Sequence, residues 1–408
     1  MNCAERFLKY VAVSTPSDDA VEDRTPSTAC QFDLANALAE EMMQIGFEQV
    51  RVDDCCFVYG VFPASQGYEN VPAIGMIAHL DTATSFCGIH VKPQIISNYN
   101  GKDVELKGSG ETLSVTMFPH LRNKIGQTLI TTDGTTLLGA DDKAGIAEII
   151  TACELLKQRD IAHGPIAVAF TPDEEIGLGI QHFDVAHFPA KAAYTVDGGE
   201  IGSFSYENFN ACMATVEFNG ISVHPGSAKD TMINANLLAM EFAGMLPSCE
   251  TPRDTEKYEG FFHLEYMSGD AVKAKLVYIV RDHSAERFEG RKEQLRHIEK
   301  IMKHRWGSEC VKLTIREQYR NMREIIEQNQ SLVENVKNAM AELGMPYHAE
   351  PIRGGTDVAQ LCERGLPCPN LCTGGYACHG PFEHITFEDL QQGAELVAKL
   401  CEAKYWHA

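Results

Sequence analysis

Long hydrophobic runs are missing from this sequence. No window of its 408 residues approaches the roughly 18 uninterrupted apolar residues of a membrane-crossing helix, which excludes one. The start, MNCAERFLKYVAVSTPSDD, has no apolar run of about 7–15 residues behind a basic stretch, so no secretory signal is expected. Basic residues are also in deficit. Lys and Arg number 35 against 57 Asp and Glu, a formal net charge of −22. Affinity for a phosphate backbone rests on clustered cations, so nucleic acid is not an expected partner, and neither is a membrane. Several short signatures are absent as well: H-E-x-x-H, G-x-S-x-G and G-x-x-x-x-G-K-[ST]. Gly177-Leu178-Gly179 does not continue to a third Gly at dinucleotide-binding spacing.

Cysteine is plentiful, with 14 residues. In a long chain without an export signal this favours free thiols and a cytoplasmic location. Cys362, Cys368, Cys372 and Cys378, the last followed by His379, raise the alternative of a zinc knuckle. Their gaps of five, three and five residues do not match the tight C-x2–4-C hooks of structural zinc sites.

Apolar residues make up 44% and charged residues 23%, values of an ordinary globular chain, and the length suits about two to three domains. Residues 28–46 predict an amphipathic helix on Leu34, Leu38, Met42 and Ile45, with Thr28 and Gln31 as a capping box. The short apolar runs 71–80 and 165–171 predict strands buried on both faces, with a helix over 143–158 between them. This alternation predicts an α/β fold with a mixed, largely parallel sheet flanked by helices. The character changes near residue 207. Segments 211–218 and 274–280 predict strands, and 286–303 predicts a helix with Phe288, Leu295, Ile298 and Met302 on one face. Residues 207–317 hold 15 basic and 17 acidic residues, so −20 of the charge lies elsewhere. The expected organisation is a main domain of 1–206 plus 318–408, with 207–317 inserted as a small α+β domain.

Four motifs gather His, Asp and Glu at the ends of predicted strands. His79-Leu80-Asp81 closes one strand; positions i and i+2 face the same way, and a carboxylate beside a ligating imidazole fixes its orientation. Gly139-Ala140-Asp141-Asp142-Lys143-Ala144-Gly145 opens a helix, where either Asp could simply cap it. Thr171-Pro172-Asp173-Glu174-Glu175-Ile176-Gly177 sets three acids in a row past a strand; a cation would relieve their repulsion, and a solvated turn is the alternative. Asp197-Gly198-Gly199 follows the apolar run ending at Val196. In open α/β sheets the site lies at the carboxyl ends of the strands, where all these acids fall. One imidazole and several carboxylates suit Zn²⁺, Mn²⁺ or Co²⁺.

The motifs AHLDT (78–82), GADDKAG (139–145), TPDEEIG (171–177), YTVDGGE (194–200), VHPGSAK (223–229), IRGGTD (352–357) and the His-Gly after Cys378 resemble, in order and spacing, the co-catalytic zinc peptidase family. That family includes carboxypeptidase G, aminoacylase and succinyl-diaminopimelate desuccinylase. Segment 90–103 is most similar to its tripeptide aminopeptidases. The resemblance implies two Zn²⁺ per subunit, with Mn²⁺ or Co²⁺ as substitutes. His79 and Asp197 would hold one ion, Glu175 and His379 the other, and Asp141 would bridge. Asp81 would orient His79, and Glu174 would be the general base for attack by a metal-bridging hydroxide on the peptide carbonyl. The inserted domain would serve as lid and dimerisation domain of a homodimer, with His224 reaching the partner's active site as an oxyanion donor. Arg281 and Arg353 would anchor the carboxylate of a small peptide, since guanidinium pairs bidentately with carboxylates. Gly354-Gly355 would let substrate approach, and Asn234 is a weaker candidate for a substrate contact. The implied activity is release of the N-terminal residue from tripeptides, with the family's dipeptidase, carboxypeptidase and deacylase activities as alternatives. Two positions depart from the family pattern: Val358 stands where Gly is usual after the Asp of RGGTD, and Ala377 where Asn is usual before the final metal His.

Overall fold

The apolar runs near residues 75 and 168 form neighbouring parallel strands, Ile74–His79 and Ile166–Thr171, in register from Ile74 opposite Ile166 to His79 opposite Thr171. Every residue of both is buried. Cover on both faces is why these runs show no polar alternation. In this computed structural model, which describes all residues except Glu22, Thr356, His407 and Ala408, they form the centre of an eight-stranded sheet. Its order is Glu48–Val52, Val58–Phe62, Ile166–Thr171, Ile74–His79, Ala193–Val196, Asn370–Leu371, Ser203–Ser205 and His348–Ala349. The four strands from Ile166–Thr171 to Asn370–Leu371 run parallel, and an antiparallel pair flanks them at one edge.

Helix Ala140–Gln158 lies against the middle of this sheet, with helices Cys3–Val11 and Phe387–Leu400 packed on it. The fit is close at Gly145, where a Cβ would stand 1.9 Å from the carbonyl oxygen of Val196. The helix predicted over 28–46 runs from Gln31 to Ile45 and ends on Gly46 in the left-handed region. The predicted capping box is not formed. Cys30 is the N-cap without a side-chain bond, and the Thr28 hydroxyl instead donates to the carbonyl of Pro16 at 2.6 Å. A smaller antiparallel sheet of Gln94–Ile96, Leu129–Thr131 and His384–Thr386 covers a satellite core that includes Tyr99, Leu106, Leu113 and Leu121.

The chain divides into two compact units. One comprises Met1–Tyr206, Glu324–Glu350 and Thr356–Ala408, and the other Glu207–Arg323 with Pro351–Gly355. The second unit is an antiparallel sheet in the order Phe261–Gly269, Lys273–Asp282, Asn210–Asn219, Val311–Tyr319. Helices Ala235–Gly244 and Ala285–Trp306 bury Leu238, Phe242, Phe288, Leu295, Ile298 and Met302 against Cys212, Ala214, Val216 and Phe218. The boundary expected at 317 would cut the strand Val311–Tyr319. The chain leaves this unit after Arg323 and lends it Pro351–Gly355 later, because Ile352 bridges to Asn208.

Candidate metal centre

The first unit brings His79, Asp81, Asp141, Glu174, Glu175, Asp197 and His379 to the carboxyl ends of its parallel strands. His79 is the last residue of Ile74–His79. Asp197 follows Ala193–Val196, and Glu174 and Glu175 lie in the turn after Ile166–Thr171. Asp141 stands at the start of helix Ala140–Gln158, where its φ of −89° and ψ of 101° are not helical. The capping role belongs to its neighbour. Asp142 accepts from Gly145 N at 3.2 Å and from His79 N at 3.1 Å.

Two groups of donor atoms result, each with its atoms within 4.8 Å of one another: His79, Asp141 and Asp197 in one, and Asp141, Glu175 and His379 in the other. Asp141 belongs to both. Its Oδ1 lies 2.9 Å from His79 Nε2 and its Oδ2 3.1 Å from His379 Nε2. Glu175 also stands 3.1 Å from His379 Nε2. His79 Nδ1 faces the Asp81 carbonyl oxygen at 3.1 Å and its Oδ1 at 3.3 Å. That fixes the proton on Nδ1 and leaves Nε2 for a metal. These oxygen and imidazole donors fit a pair of divalent ions.

The electrostatics point the same way. Burial, then the charge of Asp141, pushes the Asp197 carboxyl up to about 7. Burial opposes ionisation of Asp141 too, but the bonds to His379 and His79 hold it well below the usual range. Hydrogen bonds to Asp141 and Glu175 push His379 up to about 10. Burial pulls His79 down, yet Asp141 and Asp81 carry it well above its ordinary value. Protonated imidazoles thus occupy the role of cations among crowded carboxylates, a role that bound metal would take over.

The three consecutive acids diverge. Asp173, in the left-handed region, turns back into the protein and accepts from Ser27 N and Ser27 Oγ, both at 2.6 Å, and from Gln31 Nε2 at 2.7 Å. Glu174 and Glu175 hang by their backbone N–H groups from the Asp81 carboxylate, at 3.0 and 3.2 Å. Asp81 also accepts from the Ser17 hydroxyl. One buried carboxylate therefore orients both His79 and the Glu174–Glu175 turn. Glu174 belongs to neither donor group; burial, then the neighbouring Asp357, raises its carboxyl well above the usual range. Ser17 and Ser27 escaped sequence reasoning because they lie in an unpatterned stretch far from the loops they hold, and Gln31, expected in a capping box, instead serves Asp173. Glu383, which accepts from Leu138, Gly139 and Asp141 N–H groups, was missed too. Its one signal is an acid between Phe382 and His384 in the short stretch Pro381–Ile385.

The remaining candidates belong to the second unit. His224 lies on an exposed loop and accepts from Gly226 N at 3.1 Å. Asn234 is the N-cap of helix Ala235–Gly244, accepting from Asn236 N at 2.9 Å. Arg353 donates to the carbonyls of Lys257, Glu259 and Thr255, so its guanidinium is already engaged. Arg281 donates to the Arg353 carbonyl at 3.1 Å, while its Nε and the Tyr319 hydroxyl are buried without a hydrogen-bond partner among the described residues. Gly355 is bare because the Tyr319 ring fills its Cβ position at 2.5 Å. In the motif 352–357, Thr356 lies outside the described residues. Val358 is buried on helix Asp357–Glu363, and Ala377 adopts a φ of +53°, a region Asn tolerates better than Ala. Cys362, Cys368 and Cys372 are buried free thiols, and no cysteine enters a metal-capable group among the described residues.

Residues 132–403 match the sequence pattern of peptidase family M20/M25/M40. The chain is 49% identical over 397 residues, 97% of each chain, to a protein of Clostridium perfringens named peptidase T. Its fold is similar to that of the aminopeptidase PepT from Bacillus cereus, with a TM-score of 0.78, 22% identity and 98% of each chain covered. A tripeptidase from Staphylococcus aureus gives 0.76 and 20%, over 99% of this chain and 98% of the other.

Proposed function

The chain belongs to peptidase family M20/M25/M40, and on that premise we propose that it is a metal-dependent aminopeptidase releasing the N-terminal residue of tripeptides. The observation that carries this reading is the double engagement of Asp141, one carboxylate oxygen beside each of two imidazoles. His79 and Asp197 would hold one ion, Glu175 and His379 the other, and Asp141 both. Zinc suits the donors, with manganese or cobalt as substitutes. When bound, the ions supply Lewis acidity to the scissile carbonyl and lower the pKa of an attacking water.

This chain's own residues do the proton work. Glu174 takes a proton from the attacking water and passes it to the leaving amine. Its burial suits both halves of that task, because a raised pKa makes a carboxylate a better acceptor and still a competent acid. Asp81 keeps Glu174 in place through the backbone while holding the His79 ring. His224 would stabilise the oxyanion from a partner subunit in a homodimer, and Arg281 would bind the peptide carboxylate, the partnerless Nε leaving it a free donor. The Arg353 guanidinium is spent on the carbonyls of Lys257, Glu259 and Thr255 while its own backbone carbonyl accepts from Arg281, which favours a supporting role, and for Asn234 the bond accepted from Asn236 N favours helix capping.

The test uses an unblocked tripeptide, its N-acetylated form and the matching dipeptide, each with zinc supplied and then chelated. Metal-dependent release of the first residue from the free tripeptide alone is expected. Turnover of the acetylated peptide or of the dipeptide in its place would overturn the tripeptide aminopeptidase reading.

A further inference from the structure

Three backbone N–H groups of the segment that delivers Asp141 end on a single side chain. Glu383 Oε2 accepts from Leu138 N at 2.6 Å and Gly139 N at 2.9 Å, and Glu383 Oε1 accepts from Asp141 N at 3.0 Å. The carboxylate is 1% exposed, and it stands 242 positions along the chain from Asp141.

The segment needs an outside acceptor. The opening N–H groups of any helix lack intrahelical partners. Here the N-cap is Gly139, at φ +80° and with no side chain to offer, and the next two turn positions, Asp141 and Asp142, are not helical. A capping side chain would ordinarily accept these protons. Asp141 cannot do so and still give one oxygen to each donor group. Asp142 accepts from Gly145 N one turn later, so the N–H groups of Leu138, Gly139 and Asp141 fall to Glu383, and charge-assisted bonds from three N–H groups fix the segment more firmly than neutral ones would.

We propose that Glu383 is a positioning residue of the metal centre. It sets where the Asp141 carboxylate stands and so sets the spacing of the two ions. This rests on the two-ion reading given above.

Glu383→Gln separates positioning from general support. An amide has one accepting and one donating face. With its oxygen kept on Leu138 and Gly139, its NH₂ meets the Asp141 N–H donor to donor. The segment stays tethered while the bridging ligand is released. Zinc affinity at one or both sites is expected to fall about 10–100-fold, as is usual when the group orienting a ligand is lost. kcat is expected to fall while KM stays within about threefold of the parent, and the thermal midpoint of the metal-free protein is expected to stay near that of the parent. Glu148→Gln is the control. Glu148 is a fully buried acid on the same helix whose two oxygens have no hydrogen-bond partner among the described residues, and its substitution is expected to leave zinc affinity unchanged. If Glu383→Gln does not fold, the shorter Glu383→Asp is read by the same titration. Two zinc ions bound by the Glu383 variant at parental affinity would overturn the positioning role, as would an equal loss in the Glu148 variant. A parent chain that takes up no zinc would overturn the two-ion reading, and the positioning role with it.

Discussion

Among the residues of the centre, adjacency in sequence hides a division of labour. Asp173, Glu174 and Glu175 are consecutive, yet one ties the turn to Ser27 and Gln31, one stays outside both donor groups, and one joins His379. Glu174→Ala is therefore expected to retain both metals while kcat drops about 10²–10⁴-fold, the usual worth of a general base. Metal analysis alongside single-turnover kinetics checks this, and a kcat within tenfold of the parent would remove Glu174 from that role. His79, Glu175 and Asp197 stood out because they fall where apolar runs end, whereas Asp141 and His379 came only from the family resemblance. Their supports were not. Ser27 lies 146 positions from Asp173 and Glu383 lies 242 from Asp141, and no periodicity links residues so far apart.

At the level of elements, the buried parallel strands and the amphipathic helices could be read from pattern, since each obeys a single period. The small sheet of Gln94–Ile96, Leu129–Thr131 and His384–Thr386 could not, because strands of three residues carry too little pattern. That sheet holds a pH-sensitive feature. His384 Nδ1 stands 2.7 Å from the Phe382 carbonyl and its Nε2 2.8 Å from His120 Nε2. Burial lowers His384 from 6.5 to about 4. The folded chain thus resists protonation that the unfolded chain accepts. Stability is complete above pH 6.5 and is lost as pH falls from 6.5 towards 4, by about 3 kcal/mol from this group. Denaturant unfolding of the metal-free protein at pH 7 and pH 4 should show the parent losing roughly 2–3 kcal/mol more than His384→Gln. Equal losses would assign the slope to other groups.

For the molecule as a whole, the expected insertion of 207–317 carried no sign of the short return of Pro351–Gly355, which is tied by the bridge between Asn208 and Ile352 and by the bonds of Arg353 to the carbonyls of Lys257 and Glu259. The cross-subunit role proposed for His224 is testable at this scale. Mixing His224→Ala subunits with Glu174→Ala subunits leaves each heterodimer one active site with both groups intact. A statistical 1:1 mixture should then recover about a quarter of parental activity. Recovery of none would confine His224 to its own subunit.

The discontinuous first unit also dictates an order of events during synthesis. His79, Asp141, Glu175 and Asp197 are all translated before the inserted unit, and His379 only after it. About 180 residues separate Asp197 from His379, roughly 10–40 s at ordinary elongation rates. Through that interval the nascent chain has the His79, Asp141 and Asp197 group whole and the other group without its imidazole. On the proposed two-ion reading, hydrolytic competence would be withheld from the ribosome-bound chain until the last part of the message has been read.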